Sequence, residues 1–189
     1  MKIWITIILV IFSSQPCADM EDWYTYWSIG ISENTYPKDV QDAFDQAESQ
    51  PGVDRIEISI DMLGFYWPMS NHKTLVGGVI SGTSDTLTNN GYELSLRQYL
   101  YAISVMHFPG KEIGEGVFLR GDFGFSKAVI DTNYIGDASS ETGTGMLIGI
   151  GYGIPVSSES RILLSINYTS KEIESDNTSA IMFNIGGLW

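Results

Sequence analysis

The chain has 189 residues and carries 23 acidic against 10 basic side chains, a formal net charge of −13. That length suits one domain, and so acidic a balance excludes a nucleic-acid partner, because phosphate contacts need a basic surface. Apolar residues make up 43 % of the chain; beyond the first residues they alternate with polar ones and leave no run long enough to span a bilayer as a helix.

The order begins with Met1-Lys2, an apolar run from Ile3 to Phe12, and Ser13-Ser-Gln-Pro-Cys-Ala18. A basic start, about ten apolar residues and a small residue at the end describe a cleaved secretory signal peptide. We place cleavage after Ala18, which makes 19–189 the mature domain. Cys17 is the only cysteine of the chain. The preceding Ser14-Gln15-Pro16 lacks the aliphatic residue of a lipoprotein site, so the mature chain is expected to carry neither lipid nor disulfide.

Eight strands follow. Trp23–Ser32 puts Trp23, Trp27, Ile29 and Ile31 on one face and Tyr24, Tyr26, Ser28 and Gly30 on the other. In the insertion after it, Val40, Ala43, Phe44 and Ala47 recur at helical spacing, closed by Pro51-Gly52, which predicts a short amphipathic helix. The second strand alternates Ile56, Ile58, Ile60 and Met62 with Arg55, Glu57, Ser59 and Asp61. The third spans Lys73–Thr83, and Ser84–Gly91 is expected to be a polar loop. The fourth runs from Tyr92 towards Phe108, with Leu94 and Leu96 outward, Arg97 inward and a phase slip expected near Leu100–Ala102.

The fifth strand, Gly116–Ile130, points Leu119, Phe123 and Phe125 outward and Phe118, Arg120 and Asp122 inward. Asp131–Glu141 is expected to be a loop. The sixth carries Met146, Ile148, Ile150 and Tyr152 over a row of glycines. The seventh sets Ile162, Leu164 and Ile166 against Arg161, Leu163, Ser165 and Asn167. Lys171–Thr178 then leads to Ser179–Trp189, whose Ile181, Phe183, Ile185 and Trp189 share one wholly apolar face. A strand closing a transmembrane barrel buries such a face in lipid and pairs both edges.

An even count closes an antiparallel sheet. Connections after strands two, four and six carry proline and stay short, while those after the odd strands are polar and acidic, the asymmetry of periplasmic turns against extracellular loops. Trp23, Tyr66, Trp67, Phe108, Tyr152 and Trp189 fall near the predicted periplasmic rim as an aromatic girdle, and Phe183 with Trp189 reads as a terminal assembly signal. Glu57, Asp61, Arg97, Arg120, Asp122 and Arg161 are expected to face the lumen and pair there, because eight strands enclose only enough space for side chains.

Chemistry is sparse. The two histidines, His72 and His107, are the side chains that titrate nearest neutrality, and both fall at predicted periplasmic connections, His72 followed by Lys73-Thr74. Asp131-Thr-Asn133-Tyr-Ile-Gly136 opens like a calcium loop but places Ile135 and Thr142 where oxygen ligands are needed. No catalytic residue, cofactor or metal is expected.

From Trp23 to Trp189 these patterns resemble the small eight-stranded outer-membrane β-barrels of the OmpA, OmpX and OmpW types. The resemblance implies an all-β, eight-stranded antiparallel transmembrane barrel with one helix in its first extracellular loop. It also implies a porin-like Gram-negative cell-envelope protein in the outer membrane, inserted by the barrel-assembly machinery and surrounded by membrane lipid and lipopolysaccharide. A non-enzymatic structural or surface-interaction role is the expectation; the alternative is a narrow channel or carrier for small hydrophobic compounds. A soluble lipocalin-like barrel would turn the apolar rows inward.

Overall fold

A computed structural model describes residues 23–110, 112–133, 138–174 and 176–189; the expected signal peptide lies outside them. The strands are β1 (Tyr24–Thr35), β2 (Asp54–Pro68), β3 (Thr74–Asn89), β4 (Tyr92–His107), β5 (Gly116–Thr132), β6 (Ala138–Ser139), β7 (Gly143–Pro155), β8 (Arg161–Ile173) and β9 (Asp176–Leu188), with one helix, α1 (Lys38–Glu48). Eight long strands pair antiparallel in sequence order, β4 with β5 and β1 with β9, so the sheet closes on itself; β6 only extends the edge of β5. Closure leaves no edge strand among the eight and satisfies the backbone internally, the condition for crossing a bilayer with strands.

Alternation then sorts the side chains. Ile31, Ile103, Phe123 and Phe125 stand 65–70 % exposed on the outer wall. Their neighbours along each strand (Ser104, Asp122, Ser126) are buried in the lumen. The apolar rows therefore face out and the polar rows in, which is the reverse of a lipocalin. One bulge interrupts the pattern, at Met62 in β2, and it shifts the register with both β1 and β3 by one residue. It has a consequence for facing: Asp61 is buried, Met62 and Leu63 are both exposed, and Tyr66 turns in while Phe65 and Trp67 turn out.

Strand lengths differ from the sequence expectation at the helix end of the barrel. Ser84–Asn89 is not a loop: it pairs residue by residue with Tyr92–Arg97, and only Asn90-Gly91 turns the chain. Both turn residues have positive φ, +48° and +86°, the hairpin geometry that Asn-Gly adopts without strain. Lys171–Thr178 is likewise mostly strand, since β8 runs to Ile173 and β9 starts at Asp176. β4 carries no slip either. Its register with β3 and β5 is unbroken, so Leu96, Gln98, Leu100, Ala102, Ser104 and Met106 all face in. The sequence put Leu94 and Leu96 in lipid because their alternation matches an outer row; the helix above the lumen is what makes an apolar inner row favourable there.

Candidate functional site

The lumen is filled in layers. At the end of the proline-bearing turns, Tyr66, Leu75, Met106, Phe108, Phe118 and Leu163 are at most 1 % exposed. The rings of Phe108 and Phe118 stack at 5.4 Å between centroids, and the Tyr66 hydroxyl donates to Ser104 Oγ at 2.8 Å. Ile113, from the β4–β5 connection, joins this floor. The glycine row of β7 leaves no pocket beside it. A Cβ on Gly151 would lie 2.4 Å from the Phe118 ring, and one on Gly149 would lie 2.0 Å from Asn167 Oδ1.

Above the floor, Arg120 of β5 clasps two carboxylates. It donates to Asp61 from Nη1 and Nη2 at 2.8 and 3.0 Å. Nη2 and Nε donate to Asp122 at 2.6 and 3.0 Å. Tyr26 and Ser28 also donate to Asp61, and Ser104 donates to Asp122. The Tyr26 ring lies 5.3 Å from the guanidinium carbon. All three charged groups are buried, so each depends on these partners for the solvation it has lost.

Next comes a polar layer. Lys171, 2 % exposed, reaches from β8 to Thr83 Oγ1 and to both Gln98 oxygens, each at 3.4 Å, and Thr178 donates to Gln98 Oε1 at 3.1 Å. Asn184 donates to Ser28 and accepts from Ser59.

Helix α1 closes the top. Its Phe44 is buried with Tyr36, Leu87 and Leu96, and the Tyr36 and Phe44 rings lie 5.6 Å apart. Arg55 ties helix to barrel: Nε and Nη2 fork Asp85 at 2.9 and 2.6 Å, and Nη1 reaches Glu48 at 3.2 Å and Asp45 at 3.4 Å. Its guanidinium also lies over the Phe44 ring. Burial, with Asp85 close by, raises the Tyr36 phenol well above its ordinary range, so it is a neutral donor at any physiological pH.

Of the residues expected to form the lumen network, Asp61, Arg120 and Asp122 meet in one cluster. Glu57 faces in but belongs to the lid, accepting from Asn34 and lying 3.6 Å from Arg55. Arg97 and Arg161 do not join the network. Arg97 points outward and pairs with Asp131 at 2.9 Å, because β4 keeps its phase. Arg161 bends back to the carbonyls of Ser157 and Ser158 in the β7–β8 turn. The girdle needs two corrections. Tyr66 and Phe108 are 0 % exposed in the floor, the first through the bulge at Met62, the second because the chain folds inward after His107. Trp67 and Tyr152 are exposed on the outer wall, as is Phe183 at mid-strand; Trp23 packs on Phe65 and Trp189 edge-on against Trp27. Sequence reasoning places Arg55 on the inward row of the second strand but leaves it out of the charge network, and it misses Asp85 and Lys171 as lumen residues. Asp85 and Lys171 were read as loop, although Thr86 and Thr88 beside Asp85 are good strand formers.

His107 Nδ1 lies 2.9 Å from Thr74 Oγ1. His72 lines an open depression of about 460 Å³ with Asn71, Lys73, Glu112 and Glu115. Among the described residues, no three His, Cys, Asp or Glu side chains converge as a metal site. Of the calcium-like stretch, Asp131 is engaged by Arg97, and Asn133 braces the β3–β4 turn through Gly91 and Glu93. Residues 134–137 lie outside the described structure.

No family model matches the sequence, and no curated protein matches it. Solved structures do. Ail, the attachment invasion locus protein of Yersinia pestis, is 14 % identical, with 89 % of this chain and 99 % of that one covered and a TM-score of 0.52. Ail in complex with the heparin analogue sucrose octasulfate is 15 % identical over the same shares, with a TM-score of 0.53. Neisserial surface protein A is 12 % identical over 88 % of this chain and 95 % of that one, with a TM-score of 0.45. The fold is that of a small outer-membrane β-barrel. The exposed isoleucine and phenylalanine rows of this barrel are the lipid face that an outer-membrane location requires, because that much apolar wall is not tolerated in water.

Proposed function

We propose that this chain is a non-enzymatic outer-membrane barrel that acts through the surface of its helix-bearing end, exported by a signal peptide cleaved after Ala18 and inserted by the barrel-assembly machinery. One observation carries the reading: the lumen is packed from floor to lid. A continuous path for water or ions would need the floor rings, the Arg120 clasp and α1 all to move, and an apolar constriction alone blocks conduction.

The exposed end supports a surface role and defines its charge. Asp39, Asp42, Glu93, Glu141, Glu174 and Asp176 are exposed there. Such a crown attracts a cationic partner and repels a polyanion. Binding of a heparin-like ligand, known for the Ail complex, is therefore not carried over to this chain. The alternative, a carrier for small hydrophobic compounds, requires an apolar compartment open to one side, whereas the upper lumen here is lined by Lys171, Gln98 and Asn184. Swelling of proteoliposomes in small sugars and uptake of an apolar dye distinguish the readings. The surface reading expects neither above protein-free liposomes; dye uptake without swelling supports the carrier.

A further inference from the structure

The outer wall changes character abruptly at one place. On β4 the outward row Val105, Ile103, Tyr101, Tyr99 is followed by Arg97, and on β5 the outward row Leu119, Phe123, Phe125 is followed by Lys127, with Val129 beyond it. Lys127 is the cross-strand partner of Tyr99, and Arg97 lies one step higher, opposite Val129. The two cations thus stand side by side on the upper edge of the apolar belt, over Tyr99 and Tyr101, whose rings lie 6.4 Å apart. Ser84 is the β3 partner of Arg97, and its hydroxyl shares hydrogen bonds with those of Ser95 and Thr86. Among the described residues, no other lysine or arginine faces outward on the wall at this end. Arg55 and Lys171 point in, and Lys38 sits on the helix, paired with Asp42.

The placement needs a reason on so acidic a surface. A cation at the top of a lipid-facing wall meets the headgroup layer, where a phosphate is the strongest available partner. Arg97 already holds Asp131, but that pair is well exposed, 40 % and 34 % for the two side chains, so a phosphate replaces or shares it at little cost. Lys127 has no carboxylate partner among the described residues; it is half-buried, opposite Tyr99 and two residues above Phe125 on the same strand, a place where a lysine can lay its stem on apolar wall and keep its charge at the headgroups. Helix α1, the β5–β7 connection and the acidic loops lie at this end, opposite the proline turns, which makes it the outer leaflet.

We propose that Arg97 and Lys127 form a site for a phosphate group of the phosphorylated glycolipid of the outer leaflet, with acyl chains against Tyr101, Ile103 and Phe125. The proposal rests on the outer-membrane reading and adds a defined lipid contact to it. Its test is the thermal midpoint of the full mature chain refolded into bilayers of three compositions: phosphorylated rough lipopolysaccharide, the same lipid dephosphorylated, and phosphatidylglycerol. The wild type is expected to melt several degrees higher in the phosphorylated glycolipid than in either other bilayer (about 1 kcal/mol shifts a domain of this size by roughly 2–4 °C). Arg97→Gln with Lys127→Gln loses that rise, Lys127→Gln alone loses part of it, and Lys38→Gln retains it. A full rise in the double variant overturns the site, and an equal rise in phosphatidylglycerol overturns the choice of lipid. Failure to insert into any bilayer rejects the barrel reading itself, and the site with it.

Discussion

The carboxylate of Asp61 on β2 and the guanidinium of Arg120 on β5 meet across the lumen through two hydrogen bonds of 2.8 and 3.0 Å. Arg120 at the same time holds Asp122 on its own strand. One cation thus serves two buried acids, and its loss strands both. Arg120→Met is expected to destabilise the barrel by about 3–5 kcal/mol, the usual result of breaking a buried ion pair from one side. Replacing all three groups, with Asp61→Asn and Asp122→Asn added, should cost less than Arg120→Met alone. Urea midpoints in lipid check this; a triple variant as damaged as the single one counts against the charge argument.

The lipid wall makes a depth prediction. Phe183 and Ser179 lie on the same face of β9, four residues apart, Phe183 exposed at mid-strand and Ser179 near the upper end. Lysine at Phe183 is expected to cost roughly 2–4 kcal/mol and lysine at Ser179 about 0–1, following the depth profile of a bilayer. Equal costs in refolding titrations mean that β9 does not cross lipid there.

The lid should uncouple from the barrel. Arg55 is the residue that binds α1 to Asp85, so Arg55→Leu leaves the buried Asp85 without its cation and releases Glu48 and Asp45. Amide exchange in Lys38–Glu48 is expected to accelerate at least about tenfold, the equivalent of roughly 1.4 kcal/mol, while exchange in β7–β9 stays slow. Unchanged protection of the helix shows that Phe44 packing alone holds it.

The floor predicts cost without leakage. Phe118→Ala removes a ring that fills the space of Gly151 and stacks on Phe108, at an expected cost of about 3–5 kcal/mol. Adding Leu163→Ala deepens that loss, yet the Arg120 clasp above stays closed. Ion flux through the double variant should remain at background in the same lipid in which its lowered unfolding midpoint is measured.

Alternation alone was enough to read the barrel, because a lipid wall and a polar lumen impose period two on every strand. What it could not place is where that period breaks or where its meaning changes. The bulge at Met62 exchanges Leu63 and Tyr66 between lipid and lumen, and nothing in Asp61-Met-Leu-Gly64 announces it. Leu94 and Leu96 look like a lipid row until Phe44, distant in sequence, covers them. Asp85 and Lys171 look like loop residues because polar composition marks a loop as well as the part of a strand that rises above the bilayer. The Asp61–Arg120–Asp122 cluster was legible in part, since each residue's parity put it in the lumen. Arg97 was not, because its facing depends on the register of the whole strand.

In the proposed role the barrel wall surrounds a closed lumen and the outer end makes the contacts. Single-molecule conductance of the purified mature chain in planar bilayers is the decisive measurement. The packed floor, the Arg120 clasp and the α1 lid predict no stable conducting events at moderate voltage. Reproducible, stable channels from the wild type would contradict the closed lumen and make the pore the function.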